Sequence, residues 1–188
     1  MTFVASSTFF VTNLFANPVD ELLERIDKGA SHKFKTVLVK SDKDFFEIDQ
    51  AGASGSKASH ASSSKTSSKS SPIIIRGNSW VNIAVGVNWY LKHHAGIHIA
   101  WNNKLPAVLP AVKQKERHET DLKLRYDFNY CTFSYSMAFW DWNRWQKEID
   151  WMALHGINMP LAIVGEECVW RNMLLKLGYT EEEVGKFI

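Results

Sequence analysis

The chain has 188 residues, 45% of them hydrophobic and 22% charged, with a formal net charge of +2. That is enough apolar material for one full domain core, or for one small domain and part of another, and so small a charge lacks the basic excess of a dedicated nucleic-acid binder. No apolar run approaches the roughly 18 residues of a membrane span, and two cysteines, Cys131 and Cys168, are too few for a disulfide scaffold or a four-cysteine zinc site.

Residues 1–16 are apolar and Ser/Thr-rich, ending in Leu14-Phe15-Ala16. They have the ending of a signal peptide without its basic start, so a truncated signal, a first strand and a tail all remain open. Residues 18–28 read as a short helix: Pro18 suits its first turn beside Asp20 and Glu21, Gly29 stops it, and Val19, Leu22, Leu23 and Ile26 form its stripe. Residues 34–39 and 44–48 read as strands joined by the turn-like Ser41-Asp42-Lys43. Residues 52–71 are Ser, Lys, Ala and Gly with no large apolar side chain, and read as a solvated, flexible loop.

Order resumes with a short strand at 73–75. Ser79 is a candidate N-cap for a helix reaching about His94, with Trp80, Ile83, Ala84, Val87, Tyr90 and Leu91 on one face and Gly96 beyond its end. Residues 97–101 read as a further strand. The pattern predicts a small α+β domain over 18–111, followed by a charged linker at 112–122.

The texture then changes: five of the chain's eight tryptophans fall within residues 140–170. Residues 124–135 read as a strand, with Asn129, Cys131 and Phe133 on one face. Asp141 caps a predicted helix over 142–154, with Trp142, Trp145, Ile149 and Met152 on its stripe and Gly156 at its stop. Residues 157–164 are a continuous apolar run of strand length. Residues 166–177 read as a helix with Val169, Trp170, Met173 and Leu177 inward, and Thr180 with Glu183 forms a capping box for another. Strand, helix, strand, helix with nearly continuous apolar strands predicts parallel βα units, so residues 123–188 are expected to begin a (β/α)8 barrel. A whole barrel takes about 250 residues, and the last helix opens just before the sequence stops, so an incomplete barrel is expected.

Barrel chemistry lies at the C-terminal ends of strands. Asn129 and Cys131 are candidates there, either as pocket groups or as a satisfied amide and a small buried hydrophobe. Glu166 and Glu167 follow the second strand, where they serve either a sugar's hydroxyls or simply the helix dipole. Trp142 and Trp140 lie where an aromatic rim would form. His93, His94 and His98 share no helix face, which argues against a metal site. Phosphate-loop, Gly-x-Ser-x-Gly and His-Glu-x-x-His motifs are absent from the sequence.

The run NYCTFSYSMAFWDWNRWQKEIDWMALHGINMPLAIVGEECVW at 129–170 closely resembles the α-N-acetylglucosaminidase family, glycoside hydrolase family 89. The resemblance extends upstream through GVNWYLKHHAGIHIAW and downstream through LGYTEEEVGKF, covering roughly two-thirds of the chain. It implies a small α/β domain, a (β/α)8 barrel and an α-helical C-terminal domain. It also implies removal of terminal, non-reducing α-linked N-acetylglucosamine with retention of configuration; no cofactor and no metal are expected.

The family's acid/base and nucleophile glutamates lie on later barrel strands, so no catalytic residue is expected in this chain. The resemblance carries a sugar-pocket role to Asn129 and Cys131, and matches Glu167 to a family acid. Glu166 departs from relatives with Gln there, so a role needing its charge does not carry over. The implied partners are a glycan substrate and the remaining barrel and helical domain, in a secreted, periplasmic or lysosomal-type compartment. The competing reading is a non-catalytic carbohydrate-binding or interaction module.

Overall fold

The computed structural model describes residues 17–51, 71–100 and 104–188. The expected tail or signal at 1–16, nearly all of the Ser/Lys segment and Trp101 lie outside the described residues.

Helix α1, Pro18–Ile26, starts where Asn17 Oδ1 accepts from the backbone N–H groups of Val19 and Asp20, at 3.0 and 3.4 Å. Its Val19, Leu22 and Leu23 are buried. Strands β1 (Phe34–Leu38), β2 (Asp44–Gln50) and β3 (Ile73–Gly77) follow, and the sheet order is β1-β3-β2-β4. The first two strands are consecutive in the chain yet not neighbours. β3 lies between them, parallel to β1 with Phe34 opposite Ile73 and antiparallel to β2 with Ile48 opposite Ile75.

The outer strand β4, Glu116–Thr120, pairs antiparallel with β2. The expected linker therefore contains an edge strand. Its charged composition suits that position, because charges on an edge discourage further pairing. Of the strand predicted at 97–101, the described residues 97–100 form none: they run irregularly, with Ile99 buried against the core.

Helix α2, Trp80–His93, is capped by Ser79, which accepts from Asn82 N at 3.1 Å. It lays Ile83, Ala84, Val87, Tyr90 and Leu91 into the core. Trp80, predicted on that face, is 37% exposed instead. It stands at the first residue of the helix, and Trp89, nine residues on, packs against the core. The helix approaches closely at Gly86, where an added Cβ would lie 2.7 Å from Ile75 Cγ2 and 3.2 Å from Phe46 Cβ. Tyr90 is fully buried, donates to the Pro110 carbonyl and meets Phe34 edge-on. Burial pushes its phenol up to about 12, so it stays a neutral donor.

Beyond the sheet come β5 (Tyr126–Asp127), helix α3 (Trp142–Leu154), β6 (Met159–Pro160), and helices α4 (Glu166–Lys176) and α5 (Glu181–Phe187). β5 and β6 pair in parallel, Tyr126 with Met159 and Asp127 with Pro160. α3 packs on α2, and Asp150 of α3 accepts two 2.7 Å hydrogen bonds from the Arg25 guanidinium of α1. The fold is thus a small α+β domain joined to the first two βα units of a barrel that is not closed.

The predicted apolar stripes of these helices hold only in part. On α3, Met152 is buried, but Trp142 and Ile149 are exposed, and the covered positions include Glu148, Asp150 and Leu154. The N-terminal domain packs against the 150–154 side of α3 and selects those residues. On α4, Val169, Trp170, Met173 and Leu177 are exposed rather than inward. Among the described residues, the one larger contact of this helix is with α5.

Candidate functional site

The strands predicted over 124–135 and 157–164 shrink to two paired residues each. A barrel strand is normally paired on both sides, and among the described residues each of these has one neighbour. After Asp127 the chain turns at Phe128, whose φ of +72° lies in the left-handed region that non-glycine residues seldom adopt. Asp127 Oδ1 accepts from the Phe128 N–H at 2.8 Å and holds this turn.

Asn129 then folds its side chain onto the following backbone. Its Oδ1 accepts from Cys131 N at 2.9 Å and Thr132 N at 3.2 Å, and Thr132 Oγ1 donates to its carbonyl at 2.7 Å. A short 3-10 turn, Thr132–Ser134, follows. Asn129, Cys131 and Phe133 therefore do not share a strand face, because side-chain-to-backbone bonding by Asp127 and Asn129 competes with the ladder and wins. With Oδ1 engaged, Asn129 has its amide NH2, two donors, to offer a ligand. Cys131 is half-buried and its thiol is free.

This loop rests on aromatics. Phe128, Phe133 and Trp140 surround Trp145 of α3, with ring centroids 6.3, 6.0 and 5.2 Å from it. Asp141 accepts from Arg144 N at 2.8 Å and caps α3, which leaves Trp142 at the first turn, 65% exposed.

The second loop begins after β6, where Leu161 N donates to Asp127 O at 3.0 Å. Gly165, at φ +87°, opens α4 without a side-chain cap, and Glu166 and Glu167 occupy the first turn, both exposed. Carboxylates there complement the helix dipole, whatever else they do. Because β5 and β6 run in parallel, both loops leave from the same end of the pair. Asn129 and Cys131 stand on one, Glu166 and Glu167 on the other, and Trp142 beyond the first. Two clefts among the described residues lie elsewhere. One of about 620 Å³ is bounded by α1, α3, Ile99, Ala100 and Lys104, and one of about 190 Å³ lies between β2, α2 and Arg125. Among the described residues, no three His, Cys, Asp or Glu side chains form a group able to hold a metal ion.

Sequence reasoning missed Arg125 and Asn158 at the opposite end of the strands. Asn158 Oδ1 accepts from Arg125 N at 2.9 Å and its Nδ2 donates to Lys123 O at 2.9 Å, stapling the two strand entries together. The available signal was a lone amide at the head of an apolar run. The Arg125 guanidinium beside Asp44 holds that carboxyl below the usual carboxylate range.

Comparison with known proteins matches both parts of the chain. A family described as "Alpha-N-acetylglucosaminidase (NAGLU) N-terminal domain" matches residues 17–111, and one described as "Alpha-N-acetylglucosaminidase (NAGLU) tim-barrel domain" matches residues 125–188. The human alpha-N-acetylglucosaminidase is 45% identical over 116 residues, covering 60% of this chain and 16% of the human protein. The family 89 glycoside hydrolase of Clostridium perfringens, solved in complex with PUGNAc, is 31% identical with a TM-score of 0.73, covering 89% of this chain and 18% of that one. The same figures hold for that enzyme with two Glu-to-Gln substitutions, solved in complex with its substrate GlcNAc-alpha-1,4-galactose. The chain thus spans less than a fifth of each of these relatives, and within that span it belongs to the alpha-N-acetylglucosaminidase family.

Proposed function

We propose that this chain is the N-terminal part of an exo-acting glycoside hydrolase that removes terminal, non-reducing α-linked N-acetylglucosamine from glycans. The observation that carries the reading is the parallel β5–β6 pair with polar side chains on both loops at one end. It occurs in a chain similar over 89% of its length to an enzyme solved with GlcNAc-alpha-1,4-galactose. In this reading the Asn129 NH2 donates to a sugar hydroxyl, Glu167 and Glu166 accept from hydroxyls, and Trp142 forms an aromatic rim. Cys131 supplies a small wall.

Hydrolysis proceeds with retention, through two carboxyl groups about 5–5.5 Å apart on later barrel strands. The 188-residue chain alone is therefore inactive. The protein works outside the cytoplasm, where glycans with free non-reducing ends are degraded; no helix among the described residues is long and apolar enough to cross a membrane.

The test is hydrolysis of aryl N-acetylglucosaminides, with NMR detection of the first sugar anomer released. The complete protein is expected to cleave the α-linked and spare the β-linked substrate, to release the α-anomer first, and to lose all activity when cut to this chain. Release of the β-anomer would refute retention, and hydrolysis by the chain alone would refute its inactivity. Binding of N-acetylglucosamine with no hydrolysis by the complete protein would favour a binding module instead.

A further inference from the structure

The guanidinium of Arg125 joins more elements than any contact within the proposed sugar site. Its Nη1 donates to Asp44 Oδ2 of β2 at 2.9 Å and to the Leu122 carbonyl at 2.6 Å. Nη2 donates to Asn82 Oδ1 of α2 at 3.2 Å, and Nε donates to the carbonyl of Gly156, just past α3. Asp44 and Asn82 belong to the small domain, and both are oriented by Asn78, which donates to Asp44 at 3.1 Å and accepts from Asn82 at 2.7 Å. The backbone of Arg125 meanwhile pairs with the entry of β6 through Asn158 and Met159.

β5 has only two paired residues, so its ladder fixes its position weakly. Arg125 directly precedes it, and Asn129 lies four residues on, within about 14 Å of extended chain. The joint has little slack: an added Cβ at Gly156, which sits at φ +81°, would lie 3.1 Å from Val85 Cγ2. A planar fork reaching four acceptors in four directions is a task for arginine, and a lysine ammonium keeps the charge but cannot span them.

We propose that Arg125 is a positioning residue: it anchors the start of β5 to the small domain, so that this domain sets the location of the Asn129–Cys131 loop from behind. The proposal rests on the reading of that loop as part of the sugar site. Its consequence is that the small domain is part of the catalytic apparatus without touching substrate.

The test uses Arg125→Lys, Arg125→Met and Asp44→Asn in the complete protein. Two quantities are followed: kcat/KM on an aryl α-N-acetylglucosaminide, and the native alkylation rate of Cys131 by iodoacetamide, read on its own peptide by mass spectrometry. A charge-assisted hydrogen bond lost at a tight joint predicts about a tenfold faster Cys131 reaction and about a tenfold lower kcat/KM. Lysine is expected to behave like methionine rather than like arginine, whereas a purely electrostatic role would be rescued by lysine. Asp44→Asn keeps the bond to Asn78 geometrically possible and serves if the Arg125 variants do not fold. An unchanged Cys131 rate in the folded variants overturns the proposal, whatever happens to activity. A faster Cys131 reaction with unchanged hydrolysis upholds the positioning and overturns the sugar-site reading on which it rests.

Discussion

At the scale of single residues, Asn129 shows how structure refines a sequence reading. Strand alternation marked it as a candidate, but it stands in a turn of its own making, with Oδ1 spent on Cys131 and Thr132. Only its NH2 donors remain for a ligand, and two substitutions test this. Asn129→Asp keeps the turn and removes the donors, so in the complete enzyme it is expected to lower kcat/KM about as much as Asn129→Ala. A pocket hydrogen bond left unmade costs about 1–3 kcal/mol, or roughly 5- to 160-fold. Trp145→Phe, which keeps an aromatic ring in the supporting cluster, is expected to cost less; kinetics that rank Trp145→Phe as the more damaging change would remove Asn129 from the site.

Glu24 offers a second test at this scale. The Ser31 hydroxyl and the backbone N–H groups of Gly29 and Ser31 donate to its carboxylate and hold its pKa at about 2, against an ordinary 4.5. Because the folded value is the lower one, its contribution is full above pH 4.5 and is lost as the pH falls from there towards 2. The urea midpoints of wild type and Glu24→Gln should therefore differ at neutral pH and converge through that window. A constant gap across the window would contradict this account.

At the scale of elements, the helices and the first three strands were legible, and β4, β5 and β6 were not. Helix ends carry local chemistry: Ser79, Asp141 and Thr180 each cap the helix they were predicted to cap, and Gly29, Gly96, Gly156 and Gly178 all take positive φ. Strands depend on distant partners. β4 escaped notice because its sequence, Glu-Arg-His-Glu-Thr, is charged; only a neighbour such as Phe46, with His118 stacked on it at 4.9 Å, makes it a strand. β5 and β6 were overestimated for the converse reason, since apolar runs state the potential of a strand without supplying its partners. The packing of α2 on the sheet yields a prediction at the same scale. Gly86→Ala drives a methyl into Ile75 and Phe46, and overpacking of this kind costs about 1–3 kcal/mol. A lower urea midpoint is expected, and an unchanged one would mean that helix and sheet are not in such close contact.

At the scale of the whole molecule, the two domains differ in how complete they are. The small domain buries its core with the help of Leu154 from α3, while α4 leaves Val169, Trp170, Met173 and Leu177 in solvent. The 188-residue chain should accordingly bind a hydrophobic dye such as ANS and exchange the amides of α4 faster than those of α2. Dye binding absent and α4 protected would show that this face is covered by something else. The joint through Arg125 and the Arg25–Asp150 pair ties the domains together, so the small domain is a support for the barrel rather than an appendage. None of this joint was legible in the sequence, because its partners are 125 residues apart for Arg25 and Asp150, and 81 apart for Arg125 and Asp44. The central claim is that the loops after β5 and β6 form one side of an N-acetylglucosamine site. Its most direct test is a crystal structure of the complete protein with that sugar bound. The account predicts Asn129 Nδ2 and a carboxylate of Glu166 or Glu167 at about 3 Å from sugar oxygens; a sugar bound in the barrel mouth that touches neither loop would contradict it.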